Sequence, residues 1–374
     1  MRYIRFLKPP RLQGTTLSAL ITITSDLGDS FLAEDVILVA SLCSADADGE
    51  IALRKVLKWT SGMRSLPVAF DTGHTDIEWP AQLHVSLKGS PESDHFEVHY
   101  SLNADLPSLV SAWSGIIDPP SGLYIAEKKV ERRFMPLNNR TLSIWEETGE
   151  SIARHLWDAG IALSAYLDRV VSLQANGLDI LERVLSSATY KKLRVLELGT
   201  GCGIVGIGLA QSVPDCEVLL TDLAEAEEIV ARNIEIMKPA MSSSVSFTTL
   251  DWDEPLPRDV QSKALDLIIV ADCTYNADSS PSLVRTLSAL VNRSPRAIVL
   301  VAMKVRHSSE AVFFELMTDA GFAIGCQTAL QVPGDEEKPT ETVDVGLDAI
   351  YCAVSGARRL TIDYLADDSQ RYAV

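Results

Sequence analysis

The sequence predicts an α/β fold, a mainly parallel sheet with helices on both faces, preceded by a β-rich segment. Three observations carry this. From about Leu142 onward, short apolar runs alternate with stretches of helical periodicity, the mark of successive βα units. The first such run, Val195-Leu196-Glu197-Leu198, leads straight into glycines at every second position, Gly199-Thr200-Gly201-Cys202-Gly203. Residues 1 to about 140 have another texture, with short alternating runs separated by Gly, Pro, Ser and Asp clusters.

In the first part, Leu83-His84-Val85-Ser86-Leu87 and His95-Phe96-Glu97-Val98-His99-Tyr100 alternate as antiparallel strands do, with turn residues 89–94 between them. Asp118-Pro119-Pro120-Ser121-Gly122 reads as a turn. Ile152, His155, Leu156, Ala159, Leu163 and Leu167 then fall at three- and four-residue spacing, which predicts a long amphipathic helix. Strands are predicted over 194–198, 217–221, 245–250, 266–271 and 297–303. Helices are predicted over 204–211, 224–237, 281–291 and 308–320. Two final strands, 322–330 and 347–354, have only an acidic loop between them (Gly334-Asp335-Glu336-Glu337), so they predict an antiparallel hairpin at the end of the sheet.

At 374 residues the chain suits two domains, a β-rich one over 1–140 and an α/β one over 141–374. The net charge of −18 argues against a nucleic-acid partner and suits a basic protein surface, although acidity also serves plain solubility. Six cysteines stand far apart with no C-x-x-C pair, which predicts free thiols in a reducing compartment and no zinc site. No apolar run is long enough to span a bilayer, and residues 1–10 do not read as a secretory signal. His95 and His99 flank Glu97 on one strand face, more simply a solvated face than a metal site. No G-x-S-x-G elbow occurs, so serine-hydrolase chemistry has no support. Trp59, Trp79 and Trp113 read as packing residues.

The glycine run suits close approach of a ligand to the backbone, because glycine adopts φ > 0 without strain. Glu197, an acid at the threshold of that run, suits a ligand with an ammonium group, such as S-adenosylmethionine (SAM). Gly201-Cys202-Gly203-Ile204-Val205-Gly206 also matches G-x-G-x-x-G, so a nicotinamide dinucleotide stays open as an alternative. Asp222, about twenty residues on at the next strand end, suits ribose hydroxyls in either case, or a helix cap. Asp251 and Trp252 can hydrogen-bond an adenine amine and stack on the base. Asp272 and Tyr275, in Asp272-Cys273-Thr274-Tyr275-Asn276 after the strand ending at Ala271, can hold an ammonium by charge and ring face.

Taken together, these residues resemble the seven-β-strand, Rossmann-like SAM-dependent methyltransferases, and more narrowly the family 16 (METTL-type) protein-lysine methyltransferases. Three elements over about 140–355 carry the resemblance. Glu197-Leu198-Gly199-Thr200-Gly201-Cys202-Gly203 is similar to the family's first motif. Asp272-Cys273-Thr274-Tyr275 is similar to its D-x-x-Y motif. His155-Leu156-Trp157-Asp158-Ala159-Gly160 is similar to its upstream W-D-A-A helix, with Gly160 a departure. The resemblance implies SAM as cofactor, bound by Trp157, Glu197, Gly199, Gly201, Asp222, Asp251, Trp252 and Ala271, with Asp272 and Tyr275 at the methyl-acceptor channel. It implies no metal. The implied partner is a protein with an accessible lysine, not nucleic acid or membrane, met by a monomer in the cytoplasm or also the nucleus. Residues 1–140 resemble the β-rich extensions of fungal and animal members and are expected to select substrate. A small-molecule or non-lysine protein methyltransferase, a nicotinamide-dependent oxidoreductase and a non-catalytic interaction module are the competing readings.

Overall fold

A computed structural model describes residues 1–45, 49–96, 108–147, 151–174, 178–334 and 340–350, the side chains of residues 340 and 347–350 excepted. The N-terminal part contains β1 (Arg2–Gln13), β2 (Thr16–Thr24), β3 (Val36–Ser44), β4 (Ile51–Trp59), β5 (Leu66–Asp71), β6 (Ala81–Leu87), β7 (Asp94–His95), β8 (Leu109–Val110), β9 (Ala112–Ser114), β10 (Lys129–Met135) and β11 (Leu142–Glu147). One sheet runs β5-β2-β1-β8. The other runs β11-β10-β9-β6-β3-β4, with β7 beside β10.

An apolar cluster with Ile4, Ile21, Leu38, Trp59, Val68 and Leu83 joins the two sheets into a sandwich. Alternation along β1 splits its side chains. Ile4 and Phe6 enter that cluster, whereas Tyr3 enters a second one shared with the helices that follow. The strand expected over 83–87 is present as β6, and both of its faces are buried. His84 is buried and stacks on Trp113 at 4.1 Å between ring centroids, with the Arg133 guanidinium 3.8 Å from the Trp113 ring. Glu97, His99 and residues 335–337 lie outside the described residues, as does Cys352.

The helix predicted from residue 152 is corrected at its start. The helix α1 runs Asp158–Val171, Ile152–Arg154 is one 3-10 turn, and β11 fills Leu142–Glu147. The cause is tertiary. Glu146, inside β11, takes an ion pair from Arg132 of β10 (Nε–Oε1 2.7 Å), and its other oxygen accepts the Leu156 N–H at 2.9 Å. This pins the approach to α1 as extended chain, and Trp157 has φ −108° and ψ 152°.

The rest of the chain is α2 (Asp179–Ser186), β12 (Leu193–Leu198), α3 (Ile204–Ser212), β13 (Cys216–Asp222), α4 (Glu227–Ile236), β14 (Ser244–Thr249), α5 (Arg258–Gln261), β15 (Leu267–Ala271), α6 (Ser280–Arg293), β16 (Ile298–Met303), α7 (Ala311–Asp319), β17 (Phe322–Pro333) and β18 (Thr340–Ile350). The short helices α2 and α5 were not predicted, and the final strand starts at Thr340 rather than 347.

The strands form one sheet in the order β14-β13-β12-β15-β16-β18-β17. β18 is antiparallel to both neighbours and lies between β16 and β17, while the first five strands are parallel. The central strands β12, β13, β15 and β16 are buried on both faces, which is why they read as near-continuous apolar runs. In β12, Val195 faces the α1 and α3 side, and Leu196 and Leu198 face the α6 and α7 side. β12 has parallel neighbours on either hand, β13 and β15, so strand order reverses there. The crevice beyond the strand ends at such a reversal is where open α/β sheets bind ligands.

Candidate functional site

The glycine run turns β12 into α3 inside that crevice. Gly199 and Gly201 hold φ of +61° and +56°, where an L side chain is strained. Space is also lacking. A Cβ at Gly199 would lie 2.5 Å from Cys273 Sγ, and one at Gly201 would lie 3.2 Å from the Ala153 carbonyl. The loop is therefore held between the end of β15 and the segment leading to α1. Gly206 is a glycine for another reason: its Cβ would lie 2.5 Å from Leu220 and 2.6 Å from a Glu197 oxygen. Close helix-to-sheet approach accounts for the last glycine of G-x-G-x-x-G here, with no need of a pyrophosphate.

Acids occupy successive strand ends. Glu197 is buried and its Oε2 accepts the Gly206 N–H at 2.8 Å. Burial pushes its carboxyl up to about 8, against the pull of that hydrogen bond. Asp222 Oδ2 accepts the Gly201 N–H at 2.8 Å, and Oδ1 accepts the Leu223 N–H at 2.7 Å. It thus shapes the glycine loop and lines the cavity. Burial raises its pKa too. Asp251 is exposed and accepts the Asp253 N–H at 2.9 Å, and Trp252 packs beside Gly199. Trp157 meets His155 edge-on at 6.1 Å, with the Arg306 guanidinium 5.5 Å from its ring centre.

All ten residues singled out from the sequence, from Trp157 to Tyr275, line one cavity of about 550 Å³. A larger hollow, about 910 Å³, lies against α1 and α2 around Leu173, Arg183 and Pro214, and no ring of strand-end acids opens into it. Volume alone therefore does not single out the cavity that gathers these ten residues. Among the described residues no group of three or more His, Cys, Asp and Glu converges as a metal site would require.

Asp272 follows β15 with φ +60°, a left-handed conformation that Asp tolerates better than most residues and that often marks functional positions. Its N–H continues the ladder to the Ala302 carbonyl at 2.8 Å, and its carboxylate turns to the loop after β16. There Arg306 grips both oxygens, Nη1–Oδ1 and Nη2–Oδ2 each at 2.7 Å, a bidentate pair. Burial pushes Asp272 up, and the guanidinium pulls it back. Arg306 Nη2 also reaches Asp26 Oδ2, on the N-terminal sandwich, at 2.8 Å. Beside it, Lys304 Nζ pairs with Asp158 at 2.8 Å and Glu341 at 2.5 Å. Tyr275 is half-exposed at the mouth.

The sequence marks Asp158 within the W-D-A-A-like segment and Lys304-Val305-Arg306 as a run resembling family positions, but assigns none of them a role, and it does not single out Asp26 at all. Two cations directly after the wholly apolar β16 were an available signal, and nothing local marks Asp26, 280 positions before Arg306.

The cradle fits a SAM molecule: the backbone of the glycine loop is open to a ligand, and acids and indoles suited to an ammonium, a ribose and an adenine converge on one cavity. The strand order with its antiparallel last-threaded strand, together with this cavity, defines a SAM-dependent methyltransferase. The sequence pattern of the lysine methyltransferase family matches residues 136–320. A Schizosaccharomyces pombe protein, UPF0665 family protein C23C4.06c, is 30% identical over 321 residues, covering 83% of this chain and 91% of its own length. The Saccharomyces cerevisiae protein-lysine N-methyltransferase EFM6 is 31% identical over 191 residues, covering 46% of this chain and 72% of its own. Among solved structures, the magnesium protoporphyrin IX methyltransferase of Synechocystis with bound SAM aligns at 15% identity and a TM-score of 0.35, over 54% of this chain and 86% of that one. The chain belongs to the lysine methyltransferase family. The activity that goes with this membership is transfer of a methyl group from SAM to a lysine side chain of a protein. No helix among the described residues is long and apolar enough to cross a membrane.

Proposed function

We propose that this chain binds SAM above the glycine loop and methylates a lysine presented by a basic protein surface, acting as a monomer in the cytoplasm or also the nucleus. The convergence of Glu197, Asp222, Asp251 and Asp272 from four strand ends on one cavity carries this reading. Gly199 and Gly201 give the ligand access to backbone, Glu197 supplies negative charge beneath the loop, and Trp157 closes the near side. Asp222 accepts from the ribose hydroxyls. Asp251 and Trp252 take the adenine, and Ala271 forms part of the floor. The net charge of −18 supports a basic partner by long-range attraction and disfavours nucleic acid. Residues 1–140 would select the substrate, and the α/β part from 141 onward would carry the transfer.

SAM supplies an electrophilic methyl group on a sulfonium. The protein must present a neutral amine in line with it, and such alignment lowers the barrier substantially. A lysine has an unperturbed pKa of about 10.4, so it must lose a proton on entering. A free carboxylate beside it would hold it as ammonium. Arg306 tempers Asp272, so Asp272 accepts a hydrogen bond from the amine without pinning its proton. Tyr275 lines the entrance with its ring.

Calorimetry with SAM and tritium transfer into proteins of a cell lysate test this. Gly201→Arg and Asp222→Ala are expected to abolish SAM binding. Asp272→Ala is expected to keep SAM affinity and lose transfer. Undiminished transfer by the Asp272 variant sinks its role, and label on small molecules or on residues other than lysine sinks the acceptor.

A further inference from the structure

We propose that Asp26, on the N-terminal sandwich, is a positioning residue for methyl transfer, holding Arg306 in the orientation that clamps Asp272. The inference rests on the reading of Asp272 as the residue that receives the lysine amine.

Asp26 is almost wholly buried, and burying a carboxylate is costly unless it is paired. Its ion-pair partners among the described residues both come from the loop after β16: Arg306 at 2.8 Å and Lys304 at 3.7 Å. The nearby Arg5 does not neutralise it side chain to side chain. Arg5 Nη2 instead donates to the Ser25 and Asp26 carbonyls, at 3.2 and 2.8 Å, and so stiffens the turn that bears Asp26. Asp26 Oδ1 accepts the Leu27 N–H at 3.0 Å, which fixes the carboxylate within its own turn. The other oxygen is thereby aimed at the catalytic half.

Arg306 Nη2 lies between two carboxylates, Asp26 Oδ2 at 2.8 Å and Asp272 Oδ2 at 2.7 Å. A guanidinium is a planar fork, so fixing Nη2 on one side and the Asp272 pair on the other leaves it one rotational setting. Without Asp26, its remaining restraints among the described residues are Asp272, the Lys304 carbonyl at 3.3 Å and the Trp157 ring. Asp272 would then drift with its clamp. The chain thus completes its methyl-acceptor site with a residue outside the part matched by the family pattern, 136–320. A simple adhesive role for Asp26 makes a different prediction: it would alter the stability of the assembled halves and leave the turnover rate alone.

The test uses the full chain, tritium-labelled SAM, and as acceptor the protein that becomes labelled in a lysate of cells lacking this enzyme, purified for kinetics. Asp26→Asn is expected to lower kcat by roughly 10- to 100-fold, the scale on which small misplacements act. SAM affinity by calorimetry should stay within about twofold, and the acceptor KM should change far less than kcat. Asp26→Glu should recover part of the rate. Arg306→Lys keeps the charge and loses the fork, and should fall similarly. In the double variant, Asp26→Asn should add nothing to Arg306→Lys, because the first acts through the second. A wild-type kcat for Asp26→Asn, or an additive double variant, overturns the proposal. If Asp26→Asn does not fold, Asp26→Glu decides by the same split of kcat from SAM affinity. If the wild-type protein itself labels no lysine, the acceptor reading of Asp272 has failed and not this assignment alone.

Discussion

The sandwich and the α/β half handle buried charge in opposite ways. In the α/β half the cavity acids sit one per strand end, with Glu197 and Asp272 buried, Asp222 partly buried and Asp251 exposed, each next to its own strand-end loop. In the sandwich the buried charges reach across long stretches of chain. Arg132 spans to Glu146, to the Ile4 carbonyl at 2.7 Å and to the Ser111 carbonyl at 2.6 Å, and Asp26 leaves the sandwich altogether. Local placement makes a site from short motifs. Distant placement ties two layers into one body, and the shared apolar cluster, with Tyr3, Phe134 and Ile144 beside Ile161 and Val205, extends that tie.

The sharpest way to break this contrast is Arg132→Met. Glu146 and Arg132 are fully buried, and burial works against the charge on Glu146 while Arg132 holds its pKa well below the usual carboxylate range. Removing one partner of such a pair costs about 3–5 kcal/mol. Urea unfolding should show that loss in one transition common to both halves. Two separate transitions, with SAM binding surviving the first, would make the halves independent. Next in size is Gly206→Ala, which forces a methyl group against Leu220, Val218 and Glu197 and should cost about 1–3 kcal/mol by overpacking. A loss under roughly 0.5 kcal/mol, the range of an ordinary surface change, would mean that α3 yields freely.

The same contrast sets what was legible in the sequence. Strand ends of a parallel sheet converge by topology, so a motif read at each end automatically joins the others, and the cavity follows. The hairpin at the end was legible because no helical stretch separates β17 from β18. The start of α1 was not. Its helical spacing from Ile152 is real, but Glu146 takes the Leu156 N–H and overrides it. Asp26 could not be found, because its partner is fixed only by how the sandwich docks. His84 was legible only as one position of an alternating strand, because the Trp113 and Arg133 that cover it come from other strands.

His84 gives the third test. Burial, with Arg133 and Arg54 nearby, pushes its pKa down to about 3. The unfolded chain therefore binds a proton below about pH 6.5 that the folded chain refuses. Stability should fall as pH drops, by roughly 2 kcal/mol between pH 7 and pH 5 from this residue. His84→Phe keeps a ring against Trp113 and should flatten that part of the slope. Equal slopes for both proteins would place the buried titration elsewhere.

The smallest effect comes from Glu197. With its carboxyl raised to about 8 by burial, and Asp222 nearby adding to the rise, the ligand-free protein holds a proton there at neutral pH. A cationic ligand in the cavity favours the ionised form, so SAM binding should release most of that proton near pH 7. The sign follows from linkage: the state with bound cation carries fewer protons, so affinity increases as pH rises toward the raised pKa, by about fivefold between pH 7 and pH 8. Calorimetry in two buffers of different ionisation enthalpy reads the proton directly. SAM has an amino group of its own that can titrate, so the comparison is with Glu197→Gln, whose amide still accepts the Gly206 N–H. The protons released by wild type in excess of that variant belong to Glu197. If the two release the same number, Glu197 is ionised before the ligand arrives, and its place beneath the loop is that of a fixed anchor for α3 rather than a charge answering the ligand.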